Sequence, residues 1–199
     1  MTKVLLLFLF ALSAHAGHSQ YDWKFTKEKD GIKVFESETK TDYKAIKVEC
    51  TLPGTYDKLI ALLNDVSRHK EWVYNNKISY ILKKNSIHDI YYYTETYLPW
   101  PMSNRDAVIH LTMKRDSLDR FLQITGTGLP KNIPEKSGKV RVPRTSVSWY
   151  VTKQGPTSIH VVYTFDADPG GSLPAWLVNS FAEKGPFESF KKLAEILKK

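Results

Sequence analysis

From Ile87 to Leu98 the chain carries Tyr91, Tyr92, Tyr93 and Tyr97 among Thr94, Glu95 and Thr96. As a strand, its period of two puts Tyr91, Tyr93, Glu95 and Tyr97 on one face and His88, Ile90, Tyr92, Thr94 and Thr96 on the other. Tyrosine joins an apolar ring to a hydroxyl that needs a partner, so a tyrosine wall suits a ligand with a greasy body and a polar end. Tyr91 and Tyr93 are therefore candidate ligand contacts, and cross-strand aromatic packing is the competing reading of each. Two further segments share a plan: Pro99-Trp100-Pro101-Met102-Ser103-Asn104-Arg105-Asp106, and Asp168-Pro169-Gly170-Gly171-Ser172-Leu173-Pro174-Ala175-Trp176-Leu177-Val178-Asn179. Each is a stiff, aromatic-bearing turn beside a regular element, and they read as two mouths of one pocket.

Arg105 and Asp106 are neighbours on a strand, so they face opposite sides and only one can enter a cavity. One is expected to anchor the turn; Arg105 is also a candidate for a ligand head group. Alternation puts Trp149 with Val147 and Val151, and Tyr163 with Val161 and Phe165, on inward rows, where they serve as core or as ligand contacts. Arg141 faces away from Val140 and Val142, and is an ordinary surface charge if that side is solvent.

Catalytic patterns are missing from the string. His18, His69, His88, His110 and His160 show no metal-ligand spacing, there is no G-x-S-x-G elbow, and Gly126-x-Gly128 and Gly170-Gly171 lack a G-x-G-x-x-G context. Cys50, the single cysteine, sits in an alternating run and reads as a buried, inert thiol that forms no internal disulfide. No catalytic residue, metal or cofactor is assigned.

The elements that position these residues follow from the pattern. Trp23 to Leu52 alternates around an Asp30-Gly31 hairpin turn. Tyr56 to Asn64 has Leu59, Ile60, Leu62 and Leu63 at helical spacing behind Thr55, a candidate N-cap. Successive strands are expected at Ile78–Lys84, Ile87–Leu98, Arg105–Lys114, Arg120–Thr127, Val140–Val151 and Ser158–Asp166, with a proline-bearing loop from Gly126 to Ser137. Everything after Pro174 reads as helix, with a stripe of Phe187, Phe190, Ala194 and Leu197 and a break or kink at Gly185-Pro186. A single sheet of this size must cover its apolar face, and the terminal helix is the only element long enough to do so. The expected class is α+β: a curved antiparallel sheet wrapped around a long C-terminal helix, an architecture able to hold an internal hydrophobic cavity.

Residues 1–16 read as a secretory signal, with Lys3, an apolar run from Val4 to Ala14 and an Ala14-His15-Ala16 cleavage site. Residues 17–199 then form one domain, exported to a periplasm or the extracellular space as a soluble monomer. The formal charge of +8 suits anionic lipid surfaces and polyanions, and export argues against nucleic acid.

Taken together, these segments resemble the START (steroidogenic acute regulatory protein-related lipid transfer) domain family. The residues carrying the resemblance are Asp30-Gly31-Ile32-Lys33-Val34-Phe35, Arg68-His69-Lys70-Glu71-Trp72, the Pro99 to Asp106 turn, Val140-Arg141-Val142-Pro143 with Trp149, and Asp168-Pro169-Gly170-Gly171 with Pro174, Trp176, Leu177 and Asn179. The resemblance implies a helix-grip fold with a tunnel for one lipid or sterol and a gate of terminal helix and loops. On it, Trp100, Met102 and Trp176 become gate or transient membrane contacts, and Asn179 joins Tyr91, Tyr93, Arg105, Trp149 and Tyr163 as a ligand contact. Some sterol-binding members place an acid and an arginine inside the cavity; the approximate equivalents, Tyr92 and Leu111, are uncharged. The alternative within the wider superfamily is a cyclase or hydrolase acting on a hydrophobic polycyclic substrate.

Overall fold

The computed structural model describes residues 21–199, so the expected leader, 1–16, lies outside the described residues. Strands β1 (Lys24–Lys29) and β2 (Ile32–Ser37) form the expected hairpin, with Asp30 and Gly31 both at positive φ in the turn. β3 (Ala45–Pro53) leads into α1 (Tyr56–Asn64), where the Thr55 hydroxyl accepts from the Lys58 N–H as a true N-cap. A 3₁₀ turn at Val66–Arg68 and the short α2 (His69–Trp72) precede β4 (Asn76–Ser86), β5 (Asp89–Thr96), β6 (Asn104–Arg115) and β7 (Phe121–Gly128). The chain closes with β8 (Lys139–Arg141), β9 (Arg144–Gly155), β10 (Ser158–Asp168) and α3 (Ala175–Leu197).

The strands make one sheet in the order β1-β2-β3-β10-β9-β7-β6-β5-β4, antiparallel throughout that path. α3 lies on one face of it. There Phe187, Phe190, Leu193 and Leu197 are buried with Ile46, Val48, Trp149, Val151 and Val161 in a single core cluster. This is the helix-grip arrangement expected from the string.

Two local expectations change. The single strand foreseen from Val140 to Val151 is two strands: Pro143, which donates no ladder bond, separates β8 from β9. β8 pairs parallel to β6 while β9 runs antiparallel to β7 and β10, so the split sends the chain to two partners. At Gly185-Pro186 the helix continues without a break. The Ser189 hydroxyl donates to the Gly185 carbonyl at 2.7 Å and accepts from the Tyr74 N–H at 2.9 Å, tying the proline turn to the α2–β4 junction.

Leu193 is fully buried on α3, so Leu193→Ala should cost about 2–5 kcal/mol in urea denaturation, whereas Thr55→Ala should cost about 1 kcal/mol.

Candidate functional site

β5 and β10 each lead into one of the two loops singled out above. Those loops meet. Arg105, the second residue of β6, is 7% exposed and donates from Nη1 to the Ser103 carbonyl at 2.6 Å, from Nε to Pro169 at 3.2 Å and from Nη2 to Gly170 at 2.9 Å. One guanidinium thus holds the loop after β5 and the loop before α3. Burial pushes its pKa down, and no carboxylate pairs with it among the described residues. Gly170 and Gly171 both take positive φ; a Cβ on Gly170 would stand 2.9 Å from the Pro143 ring, and one on Gly171 3.3 Å from Arg105 Nη2.

Asp106 points to the opposite face, as strand geometry demands. It receives a bidentate pair from Arg141 at 2.8 and 3.0 Å, and Arg141 also donates to the carbonyls of Pro130, Ile133 and Pro134. Arg141 is 7% exposed, which corrects the surface-charge expectation: the proline-bearing loop covers that side of β6 and supplies the carbonyls that replace water. Arg105 and Asp106 are therefore both braces, one for the two mouth loops and one for the covering loop.

The interior-facing residues form an aromatic wall. Tyr163 makes edge contacts to Trp149 at 4.9 Å and to Phe190 of α3 at 5.2 Å. Tyr92 meets the ring of His69 edge-on at 5.4 Å, and His69 meets Trp72 at 5.3 Å. Burial pushes the Tyr92 phenol up to about 12 and the Tyr163 phenol higher still, with the nearby Tyr92 adding to the latter. Both rings nevertheless keep accessible surface and are only half-buried.

Tyr91 and Tyr93 go elsewhere. Tyr91 stacks on His110 at 4.1 Å, and Tyr93 stacks on Tyr80 at 4.9 Å beneath Lys136. The inward tyrosine of β5 is Tyr92: it packs against the core cluster and meets His69 of α2, a choice alternation alone leaves open. Trp149 and Tyr163 face inward as expected. Asn179, half-buried on α3, accepts from the Lys44 N–H at 3.4 Å, joining the helix start to β3.

Trp100 is 90% exposed and Trp176 72% exposed, while Met102 is half-buried between them in sequence order. The Trp100–Pro101 peptide is cis. Asn104 closes the base of that loop, accepting from the Leu98 N–H at 3.2 Å and donating to Glu95 at 2.6 Å. The Cys50 thiol is pushed up to about 12 by burial, so it stays protonated and unreactive at neutral pH. His110 is bonded to Asp89 at 2.8 Å on the Tyr91 side of the sheet.

His69 and Trp72 were visible in the sequence only as parts of a motif. Burial pushes the His69 imidazole down to about 4, and its Nε2 lies 3.2 Å from the Leu63 carbonyl, which suits a neutral ring donating that bond.

Two outcomes follow from this geometry. Because the unfolded chain binds a proton near pH 6.5 and the native His69 does not until about 4, stability should fall by about 3 kcal/mol as pH drops through that window. His69→Gln should lose less over the same range in urea midpoints measured at pH 7 and 4.5. Asp106→Asn leaves Arg141 without its buried counter-charge and should cost about 3–5 kcal/mol by chemical denaturation.

Comparison with known proteins agrees with the fold. The START domain family model matches residues 9–199. An uncharacterized Pseudomonas aeruginosa protein is 31% identical over 179 residues, 89% of this chain and 88% of its own. Human phosphatidylcholine transfer protein is 31% identical over 182 residues, 87% of this chain and 82% of that protein. The crystal structure of a STAR-related lipid transfer protein fragment from Xanthomonas axonopodis superposes with a TM-score of 0.81 at 29% identity, covering 89% of this chain and 99% of that one. With a family model spanning nearly its whole length, the chain belongs to the START domain family.

Proposed function

We propose that this protein binds one hydrophobic ligand, a lipid or sterol-like molecule, in an internal tunnel between α3 and the sheet, and transfers it between membranes. The observation that carries the reading is the state of Tyr92 and Tyr163. Both are surrounded by protein on every side and desolvated, yet both keep accessible surface, the combination expected of side chains bordering an enclosed space. Relatives named as phosphatidylcholine transfer proteins support lipid as the class of cargo.

Retention needs no covalent chemistry. Each methylene moved from water into an apolar lining contributes about 0.8 kcal/mol, so a long chain is held firmly while the mouth is shut. Opening means parting the Ser103 carbonyl from those of Pro169 and Gly170, all three held by Arg105. Trp100, Met102 and Trp176 sit on these loops and would enter the bilayer interface, where an indole has one apolar and one polar side to satisfy. The exposed Lys184, Lys191, Lys192, Lys198 and Lys199 of the terminal helix would dock the protein on anionic lipid at about 1 kcal/mol per well-placed charge. In this reading residues 1–16 direct export, and the mature protein works as a soluble monomer in a periplasm or outside the cell.

Native mass spectrometry with lipid extraction should find a stoichiometric bound lipid; an empty protein that takes up nothing from liposomes would sink the proposal. Trp100→Ala with Met102→Ala should slow liposome-to-liposome transfer by about tenfold, the equivalent of one apolar side chain withheld from the membrane, at unchanged Tm. An unchanged rate would remove the gating role of these two residues.

A further inference from the structure

The gate loop has a second tie, on the face of the sheet opposite Arg105. Glu95 of β5 stands directly across from Asp106 of β6, so two carboxylates meet on neighbouring strands. Like charges placed this way repel, and each needs cations of its own. Asp106 has Arg141. Glu95 accepts from the Asn104 amide at 2.6 Å and is paired with Lys77 of β4 at 3.1 Å and with Lys139 of β8 at 3.5 Å. Burial pushes the Glu95 carboxyl up, but Asn104 and the two lysines together hold it below its usual value. Asn104 in turn accepts from the Leu98 N–H at 3.2 Å, so Glu95, through Asn104, closes the base of the 97–103 loop.

The two carboxylates are neutralised in different ways. The side chains of Asp106 and Arg141 are 1% and 3% exposed, and neither end of that pair is open to exchange. Around Glu95 the acid is inside and its cations are outside: its side chain is 5% exposed, against 55% for Lys77 and 23% for Lys139. Glu95 is also the one acidic partner of either lysine among the described residues. Both lysines can turn outward to another anion, whereas the carboxylate they leave stays buried beside Asp106 with a single amide to stabilise it, which is costly.

The neighbours indicate which anion stands outside. Ile78, next to Lys77, is exposed, as are Tyr97 and Trp100 at the mouth. Apolar and aromatic side chains beside lysines suit the boundary of a bilayer, where rings enter the interface and ammonium groups meet phosphates. The pull of an anionic surface on a lysine is similar in size to the worth of a half-exposed ion pair, so the exchange lies close to balance. A zwitterionic surface, whose phosphates carry their own ammonium groups, competes poorly.

Resting on the proposed lipid-transfer function, we infer that Lys77 and Lys139 form a site for the headgroup phosphates of an anionic bilayer, and that filling it unlatches the gate loop by taking from Glu95 the cations that hold its carboxylate, and Asn104 with it, in place. Glu95 and Asn104 are positioning residues: they set the loop and do not touch the cargo.

The test follows hydrogen exchange of the 97–104 segment by mass spectrometry in the full chain, alone, with phosphatidylcholine vesicles and with vesicles that also contain phosphatidylglycerol. Transfer of a pyrene-labelled phosphatidylcholine is measured between the same vesicles. In the natural protein the anionic vesicles should speed both exchange and transfer by about fivefold, the low end of coupling between two sites. Inorganic phosphate at matched ionic strength should speed neither, and an equal effect from it overturns the proposal. On neutral vesicles Glu95→Gln, and separately Lys77→Gln/Lys139→Gln, should exchange and transfer about fivefold faster than the natural protein and gain nothing further from anionic ones. If the lysines only dock the protein, Glu95→Gln keeps the anionic stimulation, and the lysine variant loses transfer on anionic vesicles without gaining any on neutral ones; either result overturns the latch. The lysine variant leaves a buried charge uncompensated and can fail to fold, but Glu95→Gln removes that charge together with its repulsion from Asp106 and keeps the test standing. Unchanged exchange of the segment in Glu95→Gln and on anionic vesicles overturns the latch at any transfer rate. Absent transfer with exchange responding as stated removes phosphatidylcholine as cargo and supports the latch.

Discussion

The arrangement depends on one guanidinium. Arg105 stands at the start of β6, where three main-chain carbonyls from two loops converge on it. Carbonyl dipoles stabilise the buried charge without cancelling it, so the two loops are held by three separate hydrogen bonds. A carboxylate in place of the carbonyls would hold the two loops more rigidly, since breaking it leaves two opposite charges apart in a poor solvent. That stronger device appears one residue later. Asp106 and Arg141 clamp the covering loop on the far side of the sheet.

The same division of labour runs through the interior. Leu193, Leu197, Val151 and Val161 fill the space beneath α3 and supply the burial that holds the helix on the sheet. Nearer the mouth the packing gives way to larger rings with hydroxyls, and these rings keep free surface. The tyrosine rings pack edge-on against Trp149 and His69.

Element types were legible because periodicity is a local property. The Asp30-Gly31 hairpin, the Thr55-capped helix and the terminal apolar stripe each follow from residues a few positions apart, and each is found where the string puts it. Boundaries that depend on partners were less legible. Pro143 divides two strands because they pair with different neighbours in different senses, and Pro186 stays inside α3, where the Ser189 hydroxyl takes the Gly185 carbonyl. The apparent breaker at Gly185-Pro186 is a contact surface for Tyr74, whose ring would lie 3.4 Å from a Cβ at Gly185.

For the site, the string alone determined that Arg105 and Asp106 part company, that two stiff aromatic turns flank the strands, and that β5 has two chemically different faces. Which of those faces is inside was decided only when α2, about twenty residues earlier in the chain, packed His69 against Tyr92 and joined that side to the core. Alternation assigns residues to two sets and carries no sign; the sign comes from the element that packs on one of them. Likewise Arg141 reads as a surface charge until the loop from Leu129 to Gly138 folds over it, and Arg105 acquires its role from carbonyls 64 and 65 positions away. Local chemistry follows from covalent order, but burial is a property of the assembled molecule.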